Sequence, residues 1–146
     1  MVALNNNTVD AANGGAVLSY IGNYAFKGCK ALQSFNIPNS VTTLGKAVFL
    51  ECTALTAIDY GEQLTTIPEE TFSGCSNLSS VTGISGDITK IDNYAFFGCK
   101  ALAILRGIEP VGNEPIKSII DTGSSKITFN DFTSLTTIGN YAFKDC

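Results

Sequence analysis

The cysteines of this chain fall at positions 29, 52, 75, 99 and 146, so that successive intervals are 23, 23, 24 and 47 residues. Around each of them the same short text returns. Ile21 opens "IGNYAFKGCKALQSFNIPNSVTT", Leu44 opens "LGKAVFLECTALTAIDYGEQLTT", Ile67 opens "IPEETFSGCSNLSSVTGISGDITK", Ile91 opens "IDNYAFFGCKALAILRGIEP" and Ile138 opens "IGNYAFKDC". A repeat of this length cannot bury its own apolar face. Copies must therefore stack, each coil covering the next, and equivalent residues must form columns through the molecule.

The columns are chemically uniform, as stacking of equal volumes requires. They comprise an opening aliphatic (Ile21, Leu44, Ile67, Ile91, Ile138), an aromatic (Phe26, Phe49, Phe72, Phe96, Phe143) and, three residues later, the cysteine. That spacing places ring and thiol on one face of a short helical or 3₁₀ turn. Leu32, Leu55, Leu78 and Leu102 follow, then Phe35, Ile58, Val81 and Leu105, then Ile37 and Tyr60, with Ile84 and Ile108 displaced by one inserted residue. Alternation in "FNI" and "IDY" marks a short strand with one buried face. One coil alone loses more conformational entropy than its six or seven buried side chains return, so only neighbours on both faces stabilise it.

Composition removes most alternatives. The chain has 146 residues, 45% apolar and 15% charged, the profile of one globular domain. Its net charge of -4 provides no basic footprint for nucleic acid, which is not expected as a partner. No apolar stretch is long enough to span a membrane, and "MVALNNNTVD" lacks the basic start and apolar core of a signal peptide. The absence of histidine eliminates Ser-His-Asp and Cys-His catalysis and imidazole-ligated zinc. No cofactor, metal site or catalytic residue is expected.

The consensus aliphatic-x-x-x-Ala-Phe-x-x-Cys-x-x-Leu-x-x-Ile-x-Ile-Pro-x-x-Val-x-x, met almost in full by residues 21–43 including Pro38 and Val41, resembles the BspA-type, or Treponema pallidum-type, leucine-rich repeat. The resemblance covers residues 21 to about 110 and 134–146. Val48 follows Ala47 where a spacer is usual, Thr71 replaces the alanine, and Glu51 and Asp145 stand where Gly28, Gly74 and Gly98 do. If that glycine occupies the left-handed region, aspartate is tolerable there and glutamate less so. The resemblance implies a right-handed α/β-type solenoid with short parallel strands on its concave face and short helical or 3₁₀ turns and loops opposite. It also implies surface or secreted proteins that bind host molecules, hence an extracellular or cell-surface location with signal and anchor outside this chain.

One solenoid is expected over residues 1–146: a degenerate first turn at 1–20, regular turns at 21–43, 44–66, 67–90 and 91–113, a degenerate turn at 114–137 hidden in the 47-residue interval, and a truncated turn at 138–146. Leu18 shares the Val41 column. The stop at Cys146, in the middle of a turn, reads as an excerpt of a longer array or a truncation, and leaves a turn available for end-to-end self-association. Residues 109–133 lack the Cys and Leu columns and carry Pro110 and Pro115, as in a decayed repeat; a functional loop is the competing reading.

Other signals each have a plainer explanation. "IIDTGSS" at 119–125 resembles the active-site string of pepsin-like and retroviral aspartic peptidases, but Asp121 has no second copy, and a dimer would have to supply it. Five cysteines are an odd count, yet stacked parallel side chains do not reach disulfide separation, so buried reduced thiols are expected, with Cys146 the reactive exception. Thr pairs at 42–43, 65–66 and 136–137 suggest an ice-ordering array or, more simply, corners whose hydroxyls bond the backbone. Tyr24, Tyr94 and Tyr141, beside Asn23, Asn93 and Asn140, read as packing and turn chemistry; Asn6 and Asn77 head glycosylation sequons.

By analogy with leucine-rich repeats, the strand positions facing away from the core form two rows: Ser34, Ala57, Ser80 and Ile104, and Asn36, Asp59, Thr82 and Arg106. They suit a non-enzymatic scaffold that engages a host extracellular-matrix or cell-surface protein, a neighbouring cell or a glycan, since a preformed surface loses little entropy on binding. The alternative is a structural stalk in which the turns only set spacing.

Overall fold

The computed structural model describes residues 17–107, 118–121, 126–129, 132 and 134–146; for residues 104, 106–107 and the segments 118–121 and 126–129 the description is of backbone alone. The chain is a parallel β-solenoid. Each coil contributes a strand to one four-stranded parallel sheet in the order β2 (Ser34–Asn36), β4 (Ala57–Asp59), β6 (Ser80–Ile84) and β8 (Ile104–Gly107). A second set of two-residue strands opens the coils. Here β1 (Tyr20–Ile21) pairs with β3 (Thr43–Leu44), and β5 (Thr66–Ile67) pairs with β7 (Lys90–Ile91). Ile21 and Leu44, and Ile67 and Ile91, are thus ladder neighbours, whereas β3 and β5 are not paired, since Pro68 has no N–H to donate across that step.

Between the two ladders the Phe-x-x-Cys segments make the expected i to i+3 bonds, Cys29 N–H to Phe26 C=O at 3.0 Å and Cys75 N–H to Phe72 C=O at 3.0 Å among them. No helix forms among the described residues. The reason lies in the alternation of the donors. Ala25, Lys27 and Cys29 bond three residues back, whereas Tyr24, Phe26 and Gly28 donate to Lys46, Val48 and Leu50 of the next coil. Such a path needs left-handed residues at fixed places, and they recur in two columns: Tyr24, Ala47, Glu70, Tyr94 and Tyr141, then Gly28, Glu51, Gly74, Gly98 and Asp145, all with φ between 55° and 74°. The glycine column is therefore left-handed. Glu51, at φ 60°, bears the strain that glycine would avoid.

Stacking in register carries the core. Rings of Phe26 and Phe49, Phe49 and Phe72, and Phe72 and Phe96 lie parallel with centroids 5.4, 5.5 and 5.2 Å apart. Leu55, Leu78 and Leu102, with Ile58, Val81 and Leu105, close the space between ring ladder and sheet. Tyr60 is wholly buried in the Ile37 column, its hydroxyl satisfied by the Thr66 carbonyl at 2.7 Å. The inserted residue of the 24-residue coil is absorbed as a bulge between Val81 and Ile84, with Gly83 at φ 70°, which returns Ile84 to the buried column.

The expected degenerate turn at 114–137 does not form a separate layer: its described end, residues 135–137, lies in register on residues 88–90 and completes the coil opened by Ile91. β11 (Thr137–Ile138) pairs with β7, Phe143 stacks on Phe96 at 5.2 Å, and Gly98 donates to the Lys144 carbonyl. The coil opened by Ile138 therefore sits directly on the coil opened by Ile91. What the described part of the intervening chain forms instead is an antiparallel hairpin, β9 (Ser118–Asp121) with β10 (Lys126–Phe129), and β10 packs beside β8. Without the Phe, Cys and Leu columns that segment cannot fill a coil. It pairs with itself. Of the expected first turn, Leu18, Ser19 and Tyr20 lie against residues 40–43; residues 1–16 fall outside the described residues.

Candidate functional site

The face of the four-stranded sheet turned away from the core carries Ser34, Ala57 and Ser80 of one row read from the sequence and Asn36, Asp59 and Thr82 of the other. Ser34, Ala57, Ser80 and Ile104 are direct cross-strand partners, in unbroken register. Asn36, Asp59 and Thr82 are partners in the second row, and there the bulge intervenes: register shifts after Val81, so Arg106 of β8 is not placed opposite Thr82. Ser34, Asn36, Asp59 and Thr82 are exposed, Ala57 and Ser80 half-buried. The side chains of Ile104 and Arg106 lie outside the described residues. Small side chains at these positions leave the face open to solvent. The bulge also sets Asp59 against the bare face of Gly83, whose missing Cβ would collide with the Asp59 carboxylate.

On the opposite side the cysteines are arranged by the same stacking. Cys52 Sγ donates to the Phe26 carbonyl of the preceding coil at 3.0 Å, Cys75 to Phe49 at 3.0 Å, Cys99 to Phe72 at 3.1 Å and Cys146 to Phe96 at 3.2 Å. Each of these four carbonyls also accepts the local i to i+3 bond, from the amide of Cys29, Cys52, Cys75 or Cys99, so one oxygen holds turn and coil together. Burial pushes the thiol of Cys52 up to about 11 and that of Cys75 up to about 12, and pushes Cys99 well above its ordinary value. A thiolate is needed for nucleophilic or metal chemistry, so these groups are inert packing elements. Cys29 and Cys146 are half-buried.

The tyrosines of the left-handed column project outward. Lys27 and Lys46 each place an ammonium 5.6 Å from the Tyr24 ring, and Lys144 stands 5.2 Å from that of Tyr141. Asn23 Oδ1 accepts from Lys46 N–H at 2.9 Å and Asn93 Oδ1 from Asn140 N–H at 2.8 Å, which are turn contacts between coils. Hydroxyls of Thr42, Thr89 and Thr136 reach carbonyls of Ser19, Thr65 and Thr89 in the preceding coil, a corner arrangement with its hydroxyls spent on the backbone. Asn77 is exposed, its side-chain amide donating to the Thr53 carbonyl; Asn6 lies outside the described residues. Asp121 ends β9 opposite Lys126, and the Thr122–Gly123 that complete its motif lie outside the described residues. Among the described residues no three acidic, Cys or His side chains are grouped to hold a metal ion, and no helix is long and apolar enough to cross a membrane.

Comparison with known proteins agrees with this geometry. A model of the BspA type leucine rich repeat region matches six copies over residues 5–113. Among solved structures, a T. pallidum leucine-rich repeat protein superposes with a TM-score of 0.67 at 24% identity, over 90% of this chain and 50% of its own. A leucine-rich cell surface protein from Faecalibacterium prausnitzii gives 0.59 at 30% identity, over 86% of this chain and 30% of its own. A leucine-rich repeat protein from Bacteroides ovatus gives 0.57 at 24% identity, over 84% and 29%. The chain thus spans half or less of each of these relatives. Among curated proteins none matches it significantly.

Proposed function

Because the chain belongs to the BspA-type leucine-rich repeat family, whose solenoids are scaffolds for protein interaction, we propose that it is a non-enzymatic binding module that acts at the cell surface or after secretion. Its open sheet face meets a protein of the host matrix or of a neighbouring cell, and sugars on such a partner fall within reach of the same polar rows. The observation that carries the reading is the unbroken register of Ser34, Ala57 and Ser80 beside Asn36, Asp59 and Thr82. A rigid lattice of small polar groups loses little entropy when a partner docks, and its spacing selects by shape. The surface location is supported by the similarity to the F. prausnitzii relative, a leucine-rich cell surface protein.

The test is adhesion to immobilised extracellular-matrix proteins and to cells. Ser34→Arg with Ser80→Arg should abolish adhesion while leaving thermal unfolding unchanged, because both substitutions fill the face without touching the core. Equal adhesion by wild type and variant would assign the face to a spacer, the stalk reading. Removal of one internal coil then separates the two further, since a spacer keeps its partner and changes only reach.

A further inference from the structure

We infer that Tyr94 and Tyr141 form a site of oxidative modification, a dityrosine staple that joins two coils across the inserted hairpin. The five tyrosines of the chain are Tyr20, Tyr24, Tyr60, Tyr94 and Tyr141. In the left-handed column Tyr24 is followed by Ala47, so its ring meets lysines and no second phenol. Tyr60 is sealed in the core, and Tyr20 pairs across its ladder with Thr43. Only where the insertion brings two tyrosine-bearing coils together do two phenol rings meet. Tyr94 and Tyr141 lie with centroids 5.4 Å apart and planes 31° from parallel.

The pair is built into the fold and remains accessible. Both residues have φ 56°, so their side chains leave the backbone in the same direction, and Tyr94 N–H donates to the Asn140 carbonyl at 3.0 Å, which fixes the register beside them. The rings are 37% and 56% exposed, open to a diffusible oxidant. Lys144 approaches Tyr141 and Phe97, while Phe97 meets Tyr94 edge-on at 5.9 Å; these contacts hold the two rings in place.

The chemistry balances with hydrogen peroxide and a haem peroxidase as the oxidising system. Each phenol loses one electron and one proton. The two phenoxyl radicals join through the ring carbons ortho to their oxygens, and the ortho hydrogens return to the oxygens as the rings regain aromaticity. Hydrogen peroxide takes up the two electrons and two protons and leaves as two waters. The new bond closes the chain between Tyr94 and Tyr141, a span that contains the hairpin, and a cross-link that closes a long loop restricts the opened chain. The insertion would then be rooted in a covalent clasp, and the two coils could not part there.

Dilute protein treated with horseradish peroxidase and hydrogen peroxide should give a cross-linked monomer lighter by two hydrogen atoms, with dityrosine emission and a peptide map that links the Tyr94 and Tyr141 peptides. Tyr94→Phe and Tyr141→Phe, which keep the stacked rings and hence the fold, should each bring monomer emission to background, while Tyr24→Phe should leave it unchanged. Linkage through Tyr20 or Tyr24, product confined to dimers, emission unaffected by Tyr94→Phe, or no dityrosine where free tyrosine couples would each overturn the assignment.

Discussion

Phe26 and Phe72 occupy the same place in the repeat, each three residues before a cysteine and each stacked on a phenylalanine of the next coil, yet Phe72 is wholly buried and Phe26 only partly. The same division separates Cys52, Cys75 and Cys99, all buried, from Cys29 and Cys146, which are not. Among the described residues Phe72 is stacked on both faces, by Phe49 and Phe96, and Phe26 on one, by Phe49, so the same residue type meets two environments. Stability in such a molecule is a sum over interfaces between neighbours, and the inner coils own two of them.

Truncating the rings exposes that difference most strongly. Phe72→Ala should cost about 3–5 kcal/mol in urea unfolding, the range for a buried aromatic, and Phe26→Ala clearly less. Equal losses would mean that the outer coil is covered as fully as the inner ones. A smaller contrast lies in one glycine column. A Cβ at Gly45 would run into the backbone of Gly22 and Asn23, whereas one at Gly22 would make ordinary contact with the Tyr20 ring. Gly45→Ala should therefore lose about 1–3 kcal/mol and Gly22→Ala much less, measured the same way.

Left-handed strain gives a gain in place of a loss. Glu51→Gly should stabilise the chain by about 1 kcal/mol, because glycine adopts φ 60° without a clash between Cβ and carbonyl. A neutral or destabilising result would show that Glu51 packing against Gly74 outweighs the strain.

The smallest effects concern the thiols. In the folded chain Cys52 and Cys75 titrate at about 11 and about 12, above the ordinary 9.0. Between those values the unfolded chain has released protons that the folded chain still holds. The stabilisation these thiols give is thus complete below about pH 9 and declines as pH rises toward 11 and 12. Alkaline titration of the unfolding free energy should fall through that window, and less so in Cys75→Ala. At neutral pH iodoacetamide should label Cys29 before Cys75 and Cys99, and Cys146, pushed up by burial to about 11 like Cys52, should not stand out from Cys52.

Much of this architecture was legible in the chain, because columns such as Phe26 to Phe96 and Leu32 to Leu102 repeat the same volume at the same step. The extra residue before Ile84 was legible as well, since only a bulge keeps that isoleucine inside. The hairpin was not. The interval that contains it, from Cys99 to Cys146, equals two ordinary intervals, so the arithmetic imitated a hidden coil although the Cys and Leu columns were missing from residues 109–133. Nor did the pattern reveal left-handed tyrosines at 24, 94 and 141, because tyrosine has no intrinsic preference for that region; at Tyr24 and Tyr94 it accompanies amide bonds to the next coil. On the candidate face the rows were readable from alternation, but the register shift that takes Arg106 out of line depends on how the bulge meets β8.

The central claim is that equivalent residues of successive coils touch, even across the insertion. Nuclear Overhauser spectra on phenylalanine-labelled protein test it most directly, because Phe96 and Phe143 are 47 residues apart in sequence and 5.2 Å apart between ring centroids. The account predicts ring-to-ring cross-peaks in an unbroken series from Phe26 through Phe49, Phe72 and Phe96 to Phe143. A series that stops at Phe96, with that ring instead contacting residues of the 114–137 segment, would contradict it.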